Sequence, residues 1–122
     1  LSPEAEITKS VNTIYFNGNS VIGHNTDIAG FELSLKKINY NVQNKKILIL
    51  GSGGVVPSII YALYKMGASL ITVSNRTKQN AENLKKLFET KNLSSLFQFF
   101  LFVSPSGGEY PLVSIQCPSR RR

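Results

Sequence analysis

The residues best placed to do chemistry are Gly51-Ser52-Gly53-Gly54, directly after the apolar run Ile47-Leu48-Ile49-Leu50, and Asn75-Arg76-Thr77, directly after a second apolar run from Ser69 to Val73. A strand that ends in Gly-x-Gly and passes into a helix can bring its backbone against a diphosphate. No Cβ blocks the approach, and the free N–H groups of the helix's first turn point at the anion. In a βαβ unit the tip of the second strand meets the adenosine ribose, where an acid accepts from the 2′-hydroxyl of NAD and a guanidinium suits a 2′-phosphate. Arg76 stands at that tip, with the Asn75 amide and Thr77 hydroxyl as further donors. The two motifs together read as a site for NADP. Plainer readings stay open: the glycines as turn punctuation, since Val56 stands where a strict G-x-G-x-x-G has its third glycine, and Arg76 as a solvated turn residue.

The elements that must position these groups are legible from periodicity. Val55, Val56, Ile59, Ile60, Leu63 and Met66 recur at helical spacing, which lays one face of a helix on a sheet. Pro57 falls early in that helix, where its missing N–H has no intrahelical partner to lose, and Gly67 ends it. Thr77 suits the N-cap of a following helix whose apolar face is Ala81, Leu84, Leu87 and Phe88.

The front third carries a different set of groups. Val11 to Phe16 reads as a strand, Asn17-Gly18-Asn19 as a tight turn and Ser20 to Gly23 as the return strand. His24-Asn25-Thr26-Asp27 follows, and Phe31, Leu35 and Ile38 share one face of the next helix. Thr26 or Asp27 therefore sits at a helix start, where capping is the ordinary use of a short polar side chain.

The series Val11-Asn12-Thr13, Asn25-Thr26-Asp27-Ile28-Ala29-Gly30-Phe31, Gly51-Ser52-Gly53-Gly54 and Asn75-Arg76-Thr77 resembles the shikimate dehydrogenases in order, spacing and content, over roughly residues 4 to 90. The resemblance implies an α/β fold with a doubly wound, Rossmann-like NADP-binding domain. It also implies reversible reduction of 3-dehydroshikimate to shikimate in chorismate and aromatic amino acid biosynthesis. Asn12 and Asp27 would bind substrate hydroxyls, with Asp27 also serving proton transfer beside a Lys. Gly51, Ser52, Gly53 and Gly54 would cradle the cofactor diphosphate, and Asn75, Arg76 and Thr77 would hold the adenosine phosphate. Two departures stand out. Asn80 precedes Ala81 where many relatives carry a second cation, with Lys78 one turn away, and the family's catalytic Lys belongs to a domain that would precede Leu1. A quinate/shikimate dehydrogenase is the alternative within enzymes, and a non-catalytic NADP-binding fragment is the alternative outside them.

The expected organisation is residues 1–26 as the end of a substrate domain, 27–92 as a partial NADP-binding domain and 93–122 as an atypical, non-native tail. The sole Met, Met66, lies inside a helix, which suggests a partial sequence. The tail is set apart by cation usage, with ten Lys and one Arg up to Lys91 and then three Arg and no Lys. The competing reading is a genuine strand over Leu96 to Val103 that pairs onto the sheet. That run is shorter than the roughly twenty residues a membrane helix needs.

A net charge of +7 raises nucleic acid as a partner, but three of the charges form the terminal Arg cluster, and no aromatic-interleaved basic patch occurs. No nucleic-acid or membrane partner is expected, only a small-molecule substrate. The single Cys117 and single His24 furnish neither a disulfide framework nor a tetrahedral metal site, and the cysteine usage fits a reducing cytoplasm. His24 reads as a packed or rim residue.

Overall fold

A computed structural model of the chain describes residues 1–75, 77–88, 97–103 and 109–116. The order is α1 (Pro3–Thr8), β1 (Thr13–Asn17), β2 (Ser20–His24), α2 (Asp27–Lys37), β3 (Lys46–Leu50), α3 (Val56–Lys65), β4 (Leu70–Ser74), α4 (Lys78–Phe88), β5 (Phe97–Val103) and β6 (Glu109–Gln116).

β1 and β2 form an antiparallel hairpin with Asn17 opposite Ser20, so Gly18 and Asn19 make the whole turn. Gly18 takes φ +58°, a conformation that favours glycine at the first position of such a connection. The hairpin is separate from the main sheet, whose order is β3-β4-β6-β5.

β3 and β4 are parallel, with Ile47 opposite Ile71 and Ile49 opposite Val73, and α3 is the crossover between them. The core gathers under α3 and α4: Ile60 and Leu63 from α3, Ile71 and Val73 from β4, and Leu84 and Phe88 from α4. α3 ends as the sequence suggests. Gly67 takes φ +87°, its N–H donates to Tyr64 O (3.1 Å), and Ala68 N–H donates to Leu63 O (3.1 Å), which is a Schellman cap with Leu63 and Ala68 both buried. α2 ends in the same way with Asn39 at φ 56°, its N–H on Lys36 O and that of Tyr40 on Leu35 O. That cap turns Ile38 outward to 69% exposure, so the face of α2 is carried by Ile28, Phe31 and Leu35, without Ile38.

The sheet departs from a doubly wound order after β4. β5 and β6 are antiparallel to each other, and it is β6, not β5, that lies beside β4, with Leu70 opposite Gln116. β5 thus runs in the same direction as β4, with an antiparallel strand between them. The strand over Leu96 to Val103, the competing reading of the tail, is present from Phe97, but it reaches the sheet through β6. Residues 93–96, 104–108 and 117–122, and with them Cys117 and the terminal arginines, lie outside the described residues. β3 is an end strand of this order: Ile47 and Ile49 pack on the core, while Leu48 and Leu50 are 60% and 78% exposed.

Candidate functional site

Parallel pairing brings the carboxyl ends of β3 and β4 side by side. Gly51 N–H donates to Ser74 O (2.8 Å), so the glycine turn and the end of β4 share one edge of the sheet. Gly51 takes φ +101°, in the left-handed region, and directs the chain off the strand. Val56 N–H closes the turn on Gly53 O (3.0 Å). α3 then begins with no side chain capping it, and since Val56 N–H is spent on Gly53 O and Pro57 has none, the Ser58 N–H is the first-turn donor left at the turn.

A Cβ built on Gly51, Gly53 or Gly54 would meet nothing within 4 Å. The protein's own packing therefore does not demand glycine at 53 or 54, and the space those side chains would fill is free for a ligand. The turn opens into a cleft of about 220 Å³ lined by Ser52, Gly53, Gly54 and Pro57 on one side and Asn80, Asn83, Leu84 and Leu87 of α4 on the other. Clearance, a helix start without a side-chain cap and neutral hydrogen-bonding side chains fit a diphosphate. Asn80 thus faces the turn, and Asn83, which periodicity alone does not single out, lines the same cleft.

At the strand tip, Asn75 Nδ2 donates to Thr77 O (2.8 Å), so one of its two amide hydrogens shapes the turn before α4. Thr77 is exposed and immediately precedes the helix. Arg76 lies outside the described residues.

The second cluster forms around the start of α2. Asn12 Oδ1 accepts from Thr26 N–H (3.0 Å), Thr26 Oγ1 (3.0 Å) and Thr13 Oγ1 (3.0 Å). A backbone N–H can only donate, which fixes the oxygen of the Asn12 amide toward Thr26 and turns its two N–H donors away. Thr26 is the N-cap of α2 but makes no side-chain cap, its hydroxyl being spent on Asn12. Asp27 follows in the first turn. Among the described residues its carboxylate has no hydrogen-bond or ion-pair partner. Capping therefore does not account for Asp27, and the Asn12 amide and Asp27 carboxylate are carried by adjacent, mutually bonded pieces of chain.

His24 is half-buried, with Nδ1 2.8 Å from Ser2 Oγ and its ring edge-on to Tyr15 at 6.3 Å. It joins β2 to α1 as a packed residue. Lys9 pairs with Glu6 of α1. Among the described residues there is no group of three or more His, Cys, Asp or Glu side chains that could hold a metal ion, and no helix long and apolar enough to cross a membrane.

The family described as Shikimate / quinate 5-dehydrogenase matches residues 32–99. The shikimate dehydrogenase (NADP(+)) of Pelagibacter ubique is 61% identical over 88 residues, which is 72% of this chain and 33% of that protein. The crystal structure of shikimate dehydrogenase from Aquifex aeolicus superposes with a TM-score of 0.62 at 42% identity, covering 70% of this chain and 32% of that one. That of the Thermus thermophilus enzyme in complex with NADP(H) and shikimate gives 0.63 at 35% identity, covering 72% and 33%. The chain spans about a third of the length of the curated relatives it matches. With the family's pattern covering more than half of its residues, and solved members sharing the fold that carries the glycine turn and the Asn12–Asp27 cluster, the chain belongs to the shikimate / quinate 5-dehydrogenase family.

Proposed function

We propose that this chain carries the cofactor turn and part of the substrate site of an NADP-dependent oxidoreductase that interconverts 3-dehydroshikimate and shikimate. NADPH supplies a hydride to the substrate's carbonyl carbon, and the carbonyl oxygen then takes a proton. The protein's own part is to hold both partners and move that proton. Gly51, Ser52, Gly53 and Gly54 receive the diphosphate on the backbone amides before α3, and Asn75, Arg76 and Thr77 meet the adenosine phosphate. The Asn12 amide donates to substrate hydroxyls. Asp27, an unpaired carboxylate, accepts from a hydroxyl and takes part in proton transfer, which requires hydrogen-bond reach of the reacting oxygen.

The observation that carries this reading is the pairing of an Asn12 amide locked by Thr26 with the partnerless Asp27 carboxylate. Asn12 spends its oxygen on the Thr26 N–H at the start of α2 and keeps its two N–H donors, while Asp27, among the described residues, accepts from no helix amide as a cap would. The proton-transfer Lys and the grip on the substrate carboxylate are assigned to a preceding domain, of which residues 1–26 are the end. Residues 27–92 form the cofactor side, and residues 93–122 are an atypical tail, of which only the part up to residue 99 falls within the family match. The reaction is set in the cytoplasm.

Two assays test this. The first is shikimate-dependent reduction of NADP, with quinate run in parallel. It compares this chain with a chimera in which residues 1–88 replace the corresponding stretch of a full-length member of the family. Turnover in the chimera alone supports the reading, and no turnover in either defeats it. The second is thermal unfolding with NADP: an upward shift identifies a folded binding module, because a ligand of the native state must stabilise it.

A further inference from the structure

One buried amide joins the two halves of the site. Asn25 is 1% exposed. Its Oδ1 accepts from the N–H of Asp27 (3.0 Å), which fixes the amide's orientation. Its Nδ2 then faces three acceptors: Ser58 Oγ (2.9 Å), Thr8 Oγ1 (3.2 Å) and Ser10 O (3.2 Å). Ser10 O can only accept, and Thr8 Oγ1 already donates to Glu4 O (2.8 Å). Ser58 is fully buried in the first turn of α3, just beyond the glycine turn. Through its two ends the Asn25 amide links the backbone of Asp27 to the helix that begins at the glycine turn.

We propose that Asn25 and Ser58 are positioning residues that lock the first turn of α2, with Asp27, to the first turn of α3, so that the Asp27 carboxylate and the diphosphate cradle hold one fixed separation. The proposal rests on the reading that Asp27 meets the substrate and the glycine turn meets the cofactor. Hydride and proton transfer tolerate little displacement, and a misplacement of about 1 Å can cost about a hundredfold in rate.

Ser58→Ala is the discriminating variant. Asn25 keeps two acceptors for its two amide hydrogens, so no buried donor is orphaned and the fold is retained. Asn25→Ala, by contrast, strands several buried groups at once. In this 122-residue chain without ligand, S58A should speed hydrogen exchange of the Asp27 amide about tenfold while the α3 amides beyond Ile60 change less than about twofold. An unchanged Asp27 amide overturns the link. In the chimera, S58A should lower kcat about tenfold with both KM values within about threefold, and should have no further effect once Asp27→Asn is present. A kcat unaffected by S58A, or the same loss on both backgrounds, shows a purely structural bond and overturns the positioning role. An unsubstituted chimera without turnover defeats the assigned reaction and with it the pair's catalytic purpose, whereas the exchange measurement judges the link by itself.

Discussion

Replacing Gly53 with alanine should separate cofactor contact from folding. Gly53 lies outside the left-handed region, and a Cβ there would meet nothing within 4 Å, so the folded chain accepts it without strain or clash. Restricting the unfolded chain should leave stability unchanged or raised by about 0.4–1 kcal/mol. The same methyl intrudes where a diphosphate approaches. Losing one charge-assisted hydrogen bond at about 1.5–3 kcal/mol weakens NADP by roughly ten- to a hundredfold. The assay is thermal unfolding at a fixed NADP concentration near 100 times the unsubstituted Kd, where the ligand adds about 2.7 kcal/mol; the variant should show only about 0.4–1.4 kcal/mol. Gly51→Ala is the control for strain. At φ +101° an alanine costs about 1–2 kcal/mol without ligand, which lowers Tm by roughly 4 °C or more per kcal/mol. A Gly53→Ala chain that unfolds at the same temperature as the parent and binds NADP equally well would refute the assignment of this turn to the diphosphate.

Asp27→Asn in the chimera should lower kcat by about two to four orders of magnitude and leave NADP binding within about twofold; unchanged turnover would return Asp27 to a structural role. Arg76→Ala should weaken NADP at least about tenfold more than NAD in a titration of both, and an equal loss would point to folding. The parent's own preference for NADP over NAD should be modest, because Asn80 faces the turn where a second cation would add to Arg76; a strong preference in steady-state kinetics would contradict this. Phe88→Ala removes a core side chain that is 1% exposed and should cost about 3–5 kcal/mol, read as loss of cooperative unfolding in circular dichroism.

Much of the site could be read along the chain because it is built from local rules. The glycine turn, the stop at Gly67 and the two-residue hairpin turn at Gly18 each depend on backbone freedom at one position, and glycine announces that freedom in sequence. The apolar stripe of α3 identifies Ile60 and Leu63 correctly for the same reason. Asn25 and Ser58 were not legible as a pair, since their bond spans separate elements and each looks locally like a cap or a tolerated polar residue. A signal was present in the small residues Ser58 and Ala62, one turn apart and both buried, which mark a helix face approached closely by another element. The sheet order after β4 was also beyond local pattern. A short apolar run can say that Phe97 to Val103 is extended, but only pairing energetics place β6 between it and β4. Ile38 fits the helical spacing of α2 and still points to water, because an asparagine cap ends the helix one residue before it.

The open side of β3 bears on how this chain behaves in solution. Leu48 and Leu50 stand uncovered on an end strand whose backbone donors and acceptors, among the described residues, have no further strand to meet, and Lys46 is the one charge on that face. Such an edge recruits other edges. What keeps copies apart is the net charge of +7, a long-range repulsion that holds in dilute buffer and is cut to a reach of about 8 Å near 0.15 M salt. Ionic strength should therefore set the colloidal behaviour: light scattering from this chain is expected to stay low in dilute buffer and to rise with salt as edges associate.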